Sequence, residues 1–336
     1  MAVGGEVLFL GGSDSPLCPP NADCAVGPEP RRDGAAYDVA KDTWRRIADA
    51  PVGLQLGAQT AVLARTLYVL LPDPGRNSTR LVSYDLDADA WATLPAPPAG
   101  YRSLVATGRD VVAYLGTDEY ADAHGDYALD PTSGAWRALP DDPLSPSFDR
   151  TMVWTGGRLV LVAPKLVPSP GGADGPSWLR AATYDPSTST WRALPETKQV
   201  ISGDLSPVWD GTRLLNPSPG GADGGETNGY GRTLPHGGRL DVETGRWSPL
   251  PETTLERRVG RGVTAVSPAY AALGSIVLDV AADRWLALPD RPDAVEQGHA
   301  AQWVGSRLVV WGGATYDADG RSTLSAAGSI WTPPRP

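Results

Sequence analysis

Six segments of the chain share one spacing: an Asp, five residues, then a Trp. They are YDVAKDTW (Asp38, Trp44), YDLDADAW (Asp85, Trp91), LDPTSGAW (Asp130, Trp136), YDPSTSTW (Asp185, Trp191), LDVETGRW (Asp241, Trp247) and LDVAADRW (Asp279, Trp285). Most run on into Leu-Pro, as in WATLPAPP and WRALPDDP. A motif returning every few dozen residues marks a repeat architecture, in which each unit buries its apolar face only against its neighbours. Here the unit is a small sheet. An apolar strand ends in Tyr-Asp or Leu-Asp, the carboxylate accepts turn N–H groups, and small or polar residues close a hairpin into the Trp strand. Two more apolar runs precede each motif, such as TMVW and RLVLVA before Asp185, so each unit has four strands. The indole is then placed to fill space between adjacent units.

The rest of the composition agrees. Gly (39) and Pro (33) are abundant and Trp (12) far outnumbers Phe (2) in the 336 residues, which suits many short strands and turns. A net charge of −10 argues against nucleic acid or an anionic membrane as partner, since both require a cationic field. There is no run of 18 apolar residues, and MAVGGEVLFLGG lacks the basic start and cleavage site of a signal peptide, so the chain reads as soluble with no membrane span. The scarcity of Lys (Lys41, Lys165, Lys198) beside plentiful Arg reads as GC-rich coding bias. Cys18 and Cys24, in CPPNADC, have no other thiol to compete with and no nearby His to complete a metal site; the expectation is a disulfide, hence an oxidising, extracytoplasmic or secreted location.

At this level the sequence resembles the kelch-repeat β-propellers of the galactose-oxidase-like superfamily, whose repeat is a strand ending in Gly-Gly, then Tyr-Asp, then an outer Trp strand. LFLGG (Gly11, Gly12) and VVWGG (Gly312, Gly313) carry the glycine pair, and the six Asp-to-Trp units carry the rest. The resemblance implies an all-β, seven-bladed propeller of four-stranded antiparallel blades, with blades near residues 1–51, 52–98, 99–143, 144–196, 197–252, 253–292 and 293–336. It further suggests a secreted bacterial parent. The first blade is expected to begin at its second strand, EVLFLGG, and the last to stop after three strands; six blades closed by exchanged terminal strands is the alternative. The family's fold hosts enzymes, sugar binders and protein-docking modules alike.

Long connections between second and third strands fall at one end of the blades, together with the links between blades, and that end is the expected binding face. The twin segments PSPGGADG, at 168–175 and 217–224, are such connections in blades four and five. They lack the lysine and hydroxyl of a phosphate loop, so their glycines serve turns. Gln59, Arg102, Arg150 and His299 hold equivalent positions at the start of innermost strands, with Arg261 one step away in blade six. Converging guanidinium groups suit a carboxylate, sulfate or acidic sugar; bridging between blades, to Asp149, Asp204 or backbone carbonyls, is the competing role. Asp118, Glu119, Asp122, His124 and Asp126 could bind a divalent metal or act as acid and base, or form a solvated loop. Tyr101, Tyr120, Phe148, Trp178 and Tyr230 are candidate stacking platforms, and His236 a turn residue. Calcium would fall to Asp174, Asp223, Asp317 or Asp319, but no cofactor is expected. Function is expected to be a monomeric binding module for a glycan, peptide or protein, anionic ones included; the alternative is an epimerase-like or mutarotase-like enzyme on an acidic sugar, with Arg102 and Arg150 holding its carboxylate and His299 or Glu119 as base.

Overall fold

A computed structural model describes residues 1–13, 30–54, 57–73, 78–98, 100–118, 125–147, 149–164, 179–196, 207–217, 226–227, 233–234, 237–256, 263–291, 298–317 and 321–334. The described elements are β-strands in antiparallel sheets whose strands neighbour each other in chain order. Blade one is Ala2–Val3, Glu6–Leu10, Gly34–Asp38 and Thr43–Arg46; blade two is Gln59–Leu63, Thr66–Pro72, Thr79–Asp85 and Ala90–Leu94. Blade three is Arg102–Ala106, Val111–Leu115, Tyr127–Asp130 and Ala135–Ala138; blade four is Thr151–Trp154, Leu159–Pro164, Leu179–Asp185 and Thr190–Ala193. Blade five is Val208–Trp209, Leu214–Asn216, Gly238–Leu240 and Trp247–Ser248, and blade six Val263–Val266, Tyr270–Gly274, Ile276–Asp279 and Arg284–Ala287. Blade seven has three strands, Ala300–Val304, Arg307–Trp311 and Gly328–Trp331. The fold is therefore the all-β propeller with seven blades, not six. Blade one differs from expectation at its start: Ala2 and Val3 pair with Val7 and Glu6, a first strand of two residues that MAVGG was too short to signal. Among the described residues no helix is long and apolar enough to cross a membrane.

Two compact units divide the chain. One comprises Met1–Gly57, Asp87–Trp91 and Thr253–Pro336; the other comprises Ala58–Leu86 and Ala92–Glu252.

The Asp-to-Trp spacing is the covalent requirement of one turn. Asp38, Asp130, Asp185, Asp241 and Asp279 each accept backbone N–H groups two or three residues on, for example Ala40 and Lys41 on Asp38 at 3.0 Å and Glu243 on Asp241 at 2.9 Å. The residue four beyond every motif Asp, including Asp85, is left-handed: Asp42, Asp89, Gly134, Ser189, Gly245 and Asp283 have φ between 47° and 72°. Asp and Ser tolerate this region better than bulkier residues because a short polar side chain bonds locally, as Asp42 does in accepting the Tyr37 hydroxyl at 2.7 Å. Two residues later the chain is in register with the strand before the turn, which sets Trp44 opposite Tyr37, Trp136 opposite Leu129, Trp191 opposite Tyr184, Trp247 opposite Leu240 and Trp285 opposite Leu278.

Packing is between sheets. In the second unit Trp136 packs with Leu81, Val111 and Leu129 across blades two and three, and Trp191 with Leu144, Leu159 and Tyr184 across blades three and four. Trp247 closes the layer between blades four and five with Leu194, Leu214 and Leu240. In the first unit blades six and seven share Val263, Val277, Trp303 and Leu308, while Val309 of blade seven packs with Val7 and Tyr37 of blade one. Three of the motif indoles also carry a polar handle with an acceptor. Nε1 donates to Ala48 O from Trp91 (2.8 Å), to Pro95 O from Trp136 (2.9 Å) and to Pro140 O from Trp191 (2.9 Å). In all three cases the acceptor lies four residues beyond the Trp of the preceding blade, at the start of the link, which is Leu-Pro after blades two and three and Ile-Ala after blade one.

Candidate functional site

The long connection of blade three and the link into blade four are stitched together at their bases. Arg150 N donates to Gly116 O at 2.8 Å, and Asp118 N to Ser147 O at 3.0 Å. The Asp118 carboxylate accepts Ser147 N–H at 2.6 Å and the Ser145 hydroxyl. Arg150, its side chain 2 % exposed, fills the middle. Its Nη2 donates to Asp142 at 2.6 Å and Asp126 at 3.0 Å, and Nη1 to Leu115 O at 2.9 Å, with Asp118 Oδ2 3.9 Å from Nε. Asp126 also accepts Leu115 N–H at 2.9 Å.

Electrostatics divide the group. Burial pushes the Asp126 carboxyl above the usual carboxylate range, and the Arg150 charge and hydrogen bond offset this only in part. Burial alone would penalise the Arg150 cation, but Asp126, Asp142 and Asp118 around it outweigh that and hold its pKa above the ordinary guanidinium value. The arrangement is a buried ion cluster joining two blades, able to fix geometry rather than to meet a solute.

Arg102 is equally enclosed. Its Nε donates to Pro98 O at 3.0 Å and Nη1 to Gly125 O at 2.7 Å, and its guanidinium lies 4.8 Å from the centre of the Tyr127 ring. Desolvation draws its pKa below the usual value. The described partners of Arg102 are thus backbone carbonyls and a ring, and those of Arg150 are Asp126, Asp142 and a carbonyl. Gln59 and Tyr101 form the exposed counterpart: Gln59 Nε2 donates to the Tyr101 hydroxyl at 3.3 Å, and Tyr101 is 63 % exposed. His299 is half-buried ahead of Ala300–Val304. Asp317 closes its own hairpin, Ala314–Tyr316 against Ser322–Leu324, by accepting Arg321 N–H at 2.8 Å.

Arg261, Glu119, His124, Trp178, Tyr230, Cys18 and Cys24 lie outside the described residues, as do Asp122, Tyr120, Phe148, Asp174, Asp204, Asp223, His236 and Asp319. Asp142, Ser145 and Ser147 were not singled out from the sequence. Their signal was the acidic, hydroxyl-bearing link DDPLSPS that leads into Arg150.

The first unit repeats the arrangement with glycines. Gly12 N donates to Leu54 O at 3.1 Å and Leu54 N to Arg31 O at 2.9 Å, binding the connection of blade one to the link that follows its last strand. Gly11 has φ 62°, and a Cβ there would stand 2.3 Å from Leu54 O, so only glycine allows the approach. In blade seven Arg291, from the preceding link, donates to Gly312 O at 3.4 Å. The described bases of the connections in blades one, three and seven are thus each bonded to a link between blades. Blade six is the exception: a single residue, Ser275, separates its second and third strands.

Seven antiparallel sheets, each of the first six closed by an aspartate turn into a tryptophan strand, and a glycine pair where blades one and seven leave their second strands, define a kelch-type β-propeller. No family model matches the chain. It is similar to Kelch-like protein terF of Aspergillus terreus (strain NIH 2624 / FGSC A1156), 26 % identical over 207 residues that cover 56 % of this chain and 42 % of that protein. The aligned region spans less than half the relative's length, and the relative's fungal source gives no support to the bacterial, secreted origin expected above.

Proposed function

We propose that the chain is a binding module that takes a peptide or protein on the end of the blades carrying the long connections. What supports this reading above all is that the bases of the described connections are held to the links between blades, by buried bonds of Arg150 to Asp126 and Asp142 in one unit and by a backbone bond of Gly12 to Leu54 in the other. Gln59 and exposed Tyr101, standing beside each other there, supply an amphipathic aromatic anchor of the kind that dominates binding energy. The acidic-sugar enzyme is less favoured: its two carboxylate-holding arginines, Arg102 and Arg150, have their guanidinium groups turned to backbone carbonyls, a ring and carboxylates inside the blades. The extracytoplasmic location goes with this proposal through the Cys18–Cys24 pair.

Screening the intact protein against a displayed peptide library and a panel of acidic and neutral glycans tests it. Enriched peptides that lose at least tenfold in affinity with Tyr101→Ala are the expected result, a Tyr anchor being a hot spot of about 2 kcal/mol. Turnover of an acidic sugar, or binders indifferent to both Tyr101→Ala and Gln59→Ala, would overturn it.

A further inference from the structure

The third strand of blade seven, Gly328–Trp331, is an edge. It pairs with Arg307–Trp311, and among the described residues no strand pairs with its other side. Gly328 and Ile330 are exposed, Ile330 by 44 %. The matching strand of blade six, Ile276–Asp279, has a fourth strand beside it and is buried along its whole length. A row of unpaired N–H and C=O groups is a template for an added strand.

Register says what that strand would place where. Leu308 faces Trp331 as Val111 faces Leu129 and Val7 faces Tyr37. Trp331 therefore stands where complete blades hold the residue opposite the fourth-strand Trp. Around Trp136 of blade three pack Leu94, Val111, Ala113 and Leu129, with Pro95 O accepting its indole N–H. The counterparts Leu288, Val310 and Pro289, with Leu308 and Trp331, line a cavity of about 130 Å³ that extends along Ser329 and Ile330 and is bordered by Asp290 and Arg291.

Charge selects the next residue. In blades one and three the residue after the Trp reaches across to the start of the second strand: Arg45 holds Glu6 in a bidentate pair at 3.0 and 2.8 Å, and Arg137 holds Asp110 at 2.6 Å; in blade five the arginine is on the second-strand side, Arg213 donating to Ser248 at 3.3 Å. Glu6 and Asp110 directly precede Val7 and Val111. In blade seven that position, directly before Leu308, is Arg307, exposed and donating to Val39 O at 2.7 Å. The polarity is reversed, so an acidic residue is the complement.

We propose that this edge binds, by strand addition, an extended segment of a partner protein in which a Trp is followed directly by Asp or Glu. The indole enters the cavity beside Pro289 and stands opposite Trp331, and the acid crosses Ile330 to Arg307. The site is separate from the loop-bearing one proposed above and does not depend on it.

The test uses fluorescence anisotropy on the intact protein with a labelled peptide copied from Ala88–Pro97 and carrying Ala92→Glu, so that its Trp91 precedes an acid. Saturable binding is expected, weakened at least about tenfold by Trp91→Ala in the peptide, as for a buried Trp anchor. The Ala92→Glu peptide should bind about two- to fivefold more tightly than one with Ala92→Lys, the size of an exposed ion pair, and the order should invert on the protein variant Arg307→Glu. Ser329→Phe, which fills the cavity from within, should abolish binding without lowering the melting temperature. Absence of binding, equal affinity for the Trp91→Ala peptide, or an unchanged preference on Arg307→Glu would overturn the proposal. So would a concentration-dependent dimer in sedimentation that Ser329→Phe abolishes, which would give the edge to a second copy of the chain.

Discussion

Replacing Arg150 by Met keeps a long apolar stem at the junction of blades three and four but removes the only cation in contact with Asp126 and Asp142 among the described side chains. Breaking one side of a buried ion pair costs about 3–5 kcal/mol, because the remaining carboxylates stay desolvated. For 336 residues an unfolding entropy of about 2.1 cal/mol/K per residue turns this into a fall of about 4–7 °C in melting temperature at pH 7.5. The deficit should depend on pH with a definite sign. Asp126 already sits above the usual carboxylate range, so its contribution to stability is present below its unfolded value and lost as pH rises through the folded one. Arg150 is what restrains that rise; without it the carboxyl goes higher still, stays protonated further toward neutrality, and costs most where it is forced to ionise. Scanning calorimetry of wild type and Arg150→Met should give a difference that shrinks from pH 7.5 to pH 5. A difference below about 1 °C at pH 7.5, or one that grows toward acid, would refute the account of the cluster.

Trp136→Phe keeps a six-membered ring but removes the pyrrole half of the indole and its N–H to Pro95 O, and urea denaturation should show a loss of at least about 1 kcal/mol. Gly245→Ala should destabilise more than Gly134→Ala by the same assay: both have φ near 70°, costing about 1–2 kcal/mol for a Cβ, but a Cβ on Gly245 stands 2.5 Å from Pro195 Cδ whereas one on Gly134 clears Pro95 Cδ at 4.0 Å. If Cys18 and Cys24 are joined, as the extracytoplasmic proposal requires, protein secreted to an oxidising compartment should resist alkylation until reduced; immediate labelling of both thiols counts against it.

What could be read in advance was whatever local backbone geometry writes into residue type. The aspartate turns were legible because an acceptor must open each turn and a residue tolerant of the left-handed region must sit four places on; the register of the Trp strand follows from that. The glycine pairs were legible for a similar reason, the close approach of Leu54 to Gly11. The roles of Arg102 and Arg150 were not, since a guanidinium announces its charge but not whether its partner is a solute or a carboxylate from another segment. Asp118 and Asp142 reach Arg150 from a loop and from a link, separations over which only the folded sheets decide contact. The indole bonds left no sequence trace at all, because their acceptors are main-chain carbonyls, which every residue has.

Those indole bonds carry an implication for how such a chain can grow. Donor and acceptor are offset by one repeat, the links after blades one, two and three each presenting a carbonyl to the tryptophan of the next blade. A tandem duplication of one whole repeat, wherever it is cut, copies both halves of this fastening, so the newcomer is seated on its predecessor and offers a seat to its successor without a single compensating substitution.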